Sequence, residues 1–148
     1  MGVIISKKCK DITPADAMNH IAGCTVALDM TDRQKQTELK NKGLPWSVAK
    51  GFDTSCPVGE FTPLSSMTKG LQDLAIWLKV NDEIRQNGNT RDMIFPVTDL
   101  VSHISSIFTL EPGDLVLTGT PSGVGPVKSG DVITAGIEGC MDIQFSVQ

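Results

Sequence analysis

The sequence lacks the features that mark several large classes of protein. No apolar run approaches the roughly 20 residues that a membrane-spanning helix needs. Lysine and arginine form no cluster, aromatic residues make up only 5% of the chain, and the formal net charge is −4, so nucleic acid is not an expected partner. None of the four cysteines forms a CxxC pair, which argues against a zinc knuckle and favours reduced, packed thiols. No secretory or arginine-rich targeting segment is visible in the chain.

What remains is the composition of an ordinary globular domain. The chain has 148 residues, of which 40% are hydrophobic and 20% charged, enough for one domain with a real core. Apolar patterning predicts strands at residues 3–6, 24–29, 74–80 and 114–117, and a closing hairpin at 131–147. The strand at 74–80 is predicted to pair with residues 83–86, with turns at Asn81-Asp82 and Asn87-Gly88 and with Ile84 in the core. Helices are predicted at 13–22, with Pro14 at the first position and Gly23 after the end, at 32–42, closed by Gly43, and at 97–108, with an apolar stripe that extends to Ile107. The expected fold is therefore mostly β with about three helices, of the α+β class.

The run CTVALD ends in Asp29, the most informative carboxylate of the chain. Continuous apolarity predicts a strand buried on both faces, and a carboxylate at its end would be costly unless it were paired or bound to a metal. A second interpretation is equally open at this point: Asp29 or Thr31 could cap the helix that follows.

The predicted helix 32–42 carries polar side chains on the face nearest Asp29. Arg33 and Gln36 are three residues apart and therefore share that face, and Lys40 continues it. Lys50 follows in the segment VAKGF, predicted as a loop that leads into a short strand. A lysine among apolar neighbours often has an anionic partner, although it can also extend to solvent.

The glycine-rich segment TGTPSGVGPV invites comparison with phosphate-binding loops, but its spacing does not fit them. Five residues after Gly119 stands Val124 rather than a Gly-Lys pair, and a third glycine is missing after Gly125. A loop of backbone N–H groups beside Thr118 and Thr120 could still hold a carboxylate.

Four segments together resemble one enzyme family: LDMTDRQKQ, GLPWSVAKGFDTSCPVGEF, WLKVNDEIRQNGNTRDMIF and GDLVLTGTPSGVGPVKSGDVITAGIEG. They are similar to the fumarylacetoacetate hydrolase family, and most to its small acylpyruvase branch, to which oxaloacetate decarboxylase and tautomerase activities are attributed. The resemblance implies a rolled β architecture, a homodimer, and a small 2-oxo acid as substrate.

The same resemblance implies roles for individual residues. It makes Asp29 a ligand of a divalent cation, Mg²⁺ or Mn²⁺, and Lys50 the catalytic lysine that faces the substrate. It assigns substrate binding to four further side chains: Arg33, Gln36, Thr54 and Thr120. A cation of this kind prefers oxygen ligands and stabilises a developing enolate as a Lewis acid.

The sequence also departs from the family pattern. Two glutamates spaced E-x-E, and an upstream lid segment with a histidine and a glutamate, have no counterpart in it. We therefore expect residues 1–148 to form a single catalytic domain that is incomplete at its N-terminus and inactive or impaired as written. The alternatives are a non-catalytic binding or dimerisation subunit, and a related hydratase or decarboxylase of aromatic or sugar-acid breakdown. The expected location is mitochondrial or cytoplasmic.

Overall fold

A computed structural model describes all residues 1–148, and the chain divides into two compact units. The larger unit comprises Met1–Val26 and Gly59–Gln148, and the smaller one Ala27–Val58. No helix has both the length and the apolarity needed to span a membrane.

The larger unit contains two four-stranded antiparallel sheets. Their strands are β1 (Gly2–Ile5), β2 (Ile21–Thr25), β3 (Thr62–Pro63), β4 (Ala75–Val80), β5 (Glu83–Asn89), β6 (Leu115–Leu117), β7 (Val132–Ile137) and β8 (Met141–Ser146). The first sheet has the order β3-β2-β1-β6 and the second the order β5-β4-β7-β8. The predicted α+β class, dominated by β-structure, is therefore confirmed.

Two helices accompany the sheets of the larger unit: α1 (Pro14–Ala17) and α4 (Val97–Ile107). The two helices contact each other, and α4 buries Val97, Val101 and Ser105. Its predicted apolar stripe was only partly right, since Ile107 near its end is 58% exposed. The core combines strand and helix residues, among which Ile5, Leu74 and Ile137 are almost fully inaccessible.

The helix predicted for residues 13–22 is shorter than its apolar spacing indicated. The α-helix ends at Ala17, a 3₁₀ turn follows at Met18–His20, and β2 begins at Ile21. Gly23 therefore lies inside a strand rather than ending a helix. A Cβ at this position would come within 2.1 Å of the Thr62 carbonyl oxygen, so the glycine permits the close approach of β3.

The hairpin of β4 and β5 turns at Asn81-Asp82, as predicted, with both residues at positive φ. The second turn predicted at Asn87-Gly88 was wrong, because β5 continues through it and Gly88 pairs with Ile76. Ile84, predicted to be a core residue, is 59% exposed. A register shift lies just beyond Ile84, where Leu78 pairs with Gln86 and Lys79 with Ile84.

The smaller unit is built on two helices, α2 (Arg33–Asn41) and α3 (Ser47–Lys50). Helix α2 confirms the prediction for residues 32–42: Asp32 caps it by accepting a hydrogen bond from the Lys35 N–H, and Gly43 follows with φ +63°. Helix α3 corrects the loop-to-strand prediction, since Lys50 lies at the end of a helix.

All four cysteines are free, as the sequence predicts. Cys9 and Cys24 are buried, as predicted, but the predicted packing was wrong for Cys56, which is exposed. Burial, together with the neighbouring Cys140 thiol, raises the pKa of Cys24 to about 12, so this sulfur stays protonated at neutral pH.

Candidate functional site

Asp29 and Lys50 form a salt bridge in the smaller unit. The Lys50 ammonium lies 2.6 Å from Asp29 Oδ2 and donates a second hydrogen bond of 2.8 Å to the Thr31 hydroxyl. The Thr31 hydroxyl in turn donates to the Asp29 carbonyl oxygen at 3.1 Å. Two of the three ammonium hydrogens are thereby placed, and the third is left to point elsewhere.

Backbone hydrogen bonds explain how residues 21 positions apart come together. The extended segment around Asp29 is joined to the segment after α3 by a bond from the Met30 N–H to the Ser55 carbonyl. The N–H of Asp32 donates to the carbonyl of Ala49, next to Lys50. The start of α2 and the end of α3 are therefore fixed side by side.

The burial argument for Asp29 was wrong. Strand β2 ends at Thr25, four residues earlier, and the Asp29 side chain is 54% exposed. The capping alternative was also wrong for this residue, because Asp32 caps α2. The Asp29 carboxylate is instead stabilised by the Lys50 ammonium, which is itself 31% exposed.

The residues described do not form a metal centre by themselves. No three His, Cys, Asp or Glu side chains converge anywhere in the structure. Asp29 offers one carboxylate, and that carboxylate already forms a salt bridge with the Lys50 ammonium. A divalent cation with octahedral oxygen coordination needs further ligands from water, substrate or other carboxylates.

Helix α2 presents the two side chains that the sequence placed on one face. The Arg33 guanidinium donates to Gln36 Oε1 at 2.9 Å across one turn of the helix. This bond leaves the Gln36 amide hydrogens and the other guanidinium N–H groups free to meet an anion. Lys40, the third member of the predicted stripe, is exposed.

Thr54 occupies a turn after α3 and has an unusual backbone conformation. Its φ is +67°, a region that β-branched residues rarely enter. The N–H of the next residue, Ser55, donates to the Phe52 carbonyl at 3.0 Å and closes the turn. Such conformations cost free energy and are found preferentially at functional sites.

Thr120 belongs to the larger unit, where it lies in the loop after β6. Its hydroxyl is 2.8 Å from the amide nitrogen of Gln86, and the same nitrogen is 2.7 Å from the Pro121 carbonyl oxygen. Thr120 lines a cavity of about 330 Å³, together with residues that include Thr118, Gly119 and Asn89.

The sequence did not identify two residues that the structure places in hydrogen bonds with predicted site residues: Thr31, which is bonded to Lys50, and Gln86, which is bonded to Thr120. Thr31 was considered only as a helix cap, although its place in the segment DMT puts it two residues from Asp29. Gln86 was treated as an ordinary strand residue. Its only signal was a long amide side chain within a strand, which is costly to bury without partners.

The comparisons with known proteins agree on one family. The family model "Fumarylacetoacetate (FAA) hydrolase C-terminal" matches residues 1–148. The mitochondrial oxaloacetate decarboxylase of Dictyostelium discoideum is 51% identical over 99% of this chain and 67% of its own length. The mitochondrial oxaloacetate tautomerase of Bos taurus is 48% identical over 100% of this chain and 66% of its own length.

A solved structure supports the same relationship. The fumarylpyruvate hydrolase of Pseudomonas aeruginosa, in complex with Mn²⁺ and pyruvate, superposes with a TM-score of 0.94 at 38% identity. The match covers 98% of this chain and 62% of that one. The chain therefore spans about two thirds of the length of the relatives it matches, as the shares of 66% and 67% indicate.

Proposed function

The chain belongs to the fumarylacetoacetate hydrolase family, and we propose that its smaller unit supplies the lysine of a site that acts on small 2-oxo acids. Oxaloacetate and acylpyruvates are the proposed substrates, and keto–enol tautomerisation, decarboxylation and C–C hydrolysis the proposed reactions. The observation that carries the proposal is the triangle of Lys50, Asp29 and Thr31, which orients one ammonium hydrogen.

All the proposed reactions require stabilisation of negative charge on one substrate oxygen, which the Lys50 ammonium can provide. Each develops negative charge on the oxygen attached to C2 of the substrate, as an enol or enolate forms. The third N–H of the Lys50 ammonium donates to that oxygen, while Asp29 and Thr31 keep the ammonium in place. A donor that is already oriented stabilises such charge without reorganising during the reaction.

The remaining polar groups have proposed roles in binding. Arg33 and Gln36 together present several N–H donors to a substrate carboxylate, and guanidinium groups bind carboxylates with two parallel hydrogen bonds. Thr54 is proposed to contact substrate from the turn after α3. Thr120, in the larger unit, is proposed to bind a carboxylate as well.

A divalent cation, Mg²⁺ or Mn²⁺, is the proposed cofactor, with Asp29 as one of its ligands. The Mn²⁺ in the complex of the Pseudomonas aeruginosa hydrolase supports a divalent cation for the family, and oxygen ligands suit both ions. Addition of Mn²⁺ to ¹⁵N-labelled protein should broaden the amide signals around residue 29. Asp29→Asn should abolish the broadening and Asp53→Asn, an exposed carboxylate of the same unit, should not.

The proposed activity is tested with oxaloacetate and Mg²⁺. The decay of the enol absorbance should be faster with the protein than without it, and Asp29→Asn should remove the acceleration while Asp53→Asn retains it. Full activity in Asp29→Asn would overturn the site assignment. Binding of oxaloacetate without any turnover would favour the alternative, a non-catalytic binding subunit, and would agree with the expectation of an impaired chain.

Two further expectations concern the assembly and its location. The homodimer implied by the resemblance predicts a mass of twice 15.9 kDa by light scattering. A mitochondrial location is proposed because the Dictyostelium and Bos taurus relatives are both described as mitochondrial. Turnover of a dienoate or sugar acid in preference to oxaloacetate would favour the related hydratase or decarboxylase function instead.

A further inference from the structure

Gln86 is a buried polar residue whose side-chain amide nitrogen lies within hydrogen-bond distance of two oxygen atoms of another segment. Only 8% of the residue is exposed. Its amide nitrogen lies 2.8 Å from the Thr120 hydroxyl oxygen and 2.7 Å from the Pro121 carbonyl oxygen. Both partners belong to the loop after β6, whereas Gln86 belongs to β5.

The chemistry of the partners fixes the direction of each hydrogen bond. A carbonyl oxygen can only accept, so the group of Gln86 that faces Pro121 must be the amide NH₂ rather than the amide oxygen. This NH₂ has two hydrogens, and the second is directed to Thr120. The Thr120 hydroxyl oxygen therefore accepts from Gln86, and its own hydrogen remains available to donate.

Close packing holds the loop against β5. A Cβ on Gly123, whose φ is +100°, would come within 1.9 Å of the Arg85 carbonyl oxygen. Across the same contact, a Cβ on Gly88 would come within 2.9 Å of the Pro121 side chain. The two glycines allow the loop to lie close enough for Gln86 to reach it.

Thr120 lies at the surface rather than in the core. Thr120 is exposed, and it lines the cavity of about 330 Å³ described above. The same wall contains Thr118 and Gly119, and Asp92 is the single charged residue of the lining. A small carboxylate that enters this cavity would meet a hydroxyl whose oxygen already accepts a hydrogen bond.

We propose that Gln86 is a positioning residue that commits the Thr120 hydroxyl to donate its hydrogen bond to a carboxylate of the substrate. The proposal rests on the proposed function for the substrate class, a 2-oxo acid. It adds the residue that decides the direction of the hydrogen bond. Gln86 does not touch the substrate and acts through Thr120.

The decisive substitution is Gln86→Glu, which keeps the size of the side chain and replaces the NH₂ with an acceptor. The Thr120 hydroxyl must then donate to the new carboxylate and is lost to the substrate. The probe is pyruvate, titrated into the full 148-residue protein and followed by the amide signals of residues 118–121. We expect binding to weaken by about ten- to a hundredfold, the usual range for a lost hydrogen bond to a charged group.

Gln144→Glu is the matched control, because it adds the same charge at an exposed position of β8. It should leave the affinity for pyruvate within about twofold, as surface substitutions usually do. An equal loss in both variants would assign the effect to net charge and overturn the proposal. Failure of the unsubstituted protein to bind pyruvate would overturn it as well.

A double-mutant cycle separates positioning from a general structural role. Thr120→Val removes the hydroxyl, so adding Gln86→Glu to it should cause no further loss, whereas Thr120→Ser should retain binding. If the loss of pyruvate affinity in the double variant equals the sum of the losses in the two single variants, the proposal is overturned. If Gln86→Glu does not fold, Gln86→Met takes its place in the cycle with the same expected dependence on Thr120.

The titration measures binding and not turnover, so its outcome does not depend on whether the protein is active. If the unsubstituted protein is active and Gln86→Glu binds pyruvate as tightly as it does, the positioning role is rejected and the proposed function is kept. Binding that depends on Gln86, in a protein without turnover, would keep the positioning role and reject the proposed activity.

Discussion

The Lys50 ammonium lies 2.6 Å from the Asp29 carboxylate, although 21 positions separate the two residues. Both side chains are partly exposed, so the pair adds little to stability: exposed ion pairs contribute about 0–1 kcal/mol. Its importance is geometric. Together with Thr31 it leaves the ammonium one free hydrogen in a defined direction.

Lys50→Ala should lower kcat more than it raises KM. The lysine is proposed to stabilise charge that appears only as the enolate forms, and removing one such donor typically lowers kcat by about 10²–10³. Deuterium uptake into the methyl group of pyruvate, followed by NMR, measures enolisation even when it is slow. Lys40→Ala, an exposed lysine on α2, is the control and should behave as the unsubstituted protein. A larger effect on KM than on kcat would assign Lys50 to ground-state binding.

Thr31→Val should reduce enolisation while the fold stays intact. The valine keeps the shape of threonine but cannot accept from the Lys50 ammonium, which lies 2.8 Å away in the structure. Since a hydrogen bond to a charged group is worth about 1.5–3 kcal/mol, we expect a loss of roughly tenfold or more in kcat. Thr31→Ser should restore most of it. Equal activity in the valine and serine variants would mean that Asp29 alone orients the ammonium.

The sequence predicted elements well where a local signal coincided with the final structure. Helix α2 occupies the predicted residues and is followed by Gly43, as predicted, although its cap is Asp32 rather than Asp29 or Thr31. Helix α1 had equally good local signals but stops at Ala17, because the residues from Ile21 onward pair with β1. Tertiary pairing overrode helical spacing there.

The structure brings two of the residues proposed for the site into contact, but the physical argument that singled out one of them does not hold. The resemblance gave Asp29 and Lys50, yet the reason offered for Asp29, burial at the end of a strand, was wrong. The partnership with Thr31 depends on where α3 ends, which no local pattern encodes. Gln86 could not be predicted because its role comes from Thr120 and Pro121, 34 and 35 positions further along the chain.

Gly123→Ala should destabilise the larger unit and displace the loop that carries Thr120. The added Cβ would come within 1.9 Å of the Arg85 carbonyl oxygen, at a φ of +100° that alanine rarely adopts. Strained backbone of this kind costs about 1–3 kcal/mol, and the clash adds to it. Gly125→Ala is the matched control, because nothing lies within 4 Å of its Cβ position. Urea unfolding of the two variants should therefore differ clearly, and equal midpoints would contradict the close packing of the loop on β5.

Asp131 predicts how stability should depend on pH in the acid range. Its carboxylate accepts a bond of 3.0 Å from the Lys128 N–H and one of 2.8 Å from the Asn81 side chain. These two bonds, the backbone one first, lower the pKa of Asp131 below its ordinary value of 3.8. The native state therefore holds this proton less tightly than the unfolded chain does.

The sign of the effect follows from proton linkage. A lowered pKa gives stability that is present above the unfolded pKa of 3.8 and is lost as the pH falls through the lower, native value. Asp131→Asn should therefore be less stable than the unsubstituted protein at pH 7, and the difference should shrink below about pH 4. Urea unfolding at pH 7, 5 and 3 measures it. Asp82→Asn, in the exposed turn between β4 and β5, is the control for the loss of one negative charge at pH 7. A difference for Asp131→Asn that stayed constant from pH 7 to 3 would contradict the lowered native pKa of Asp131.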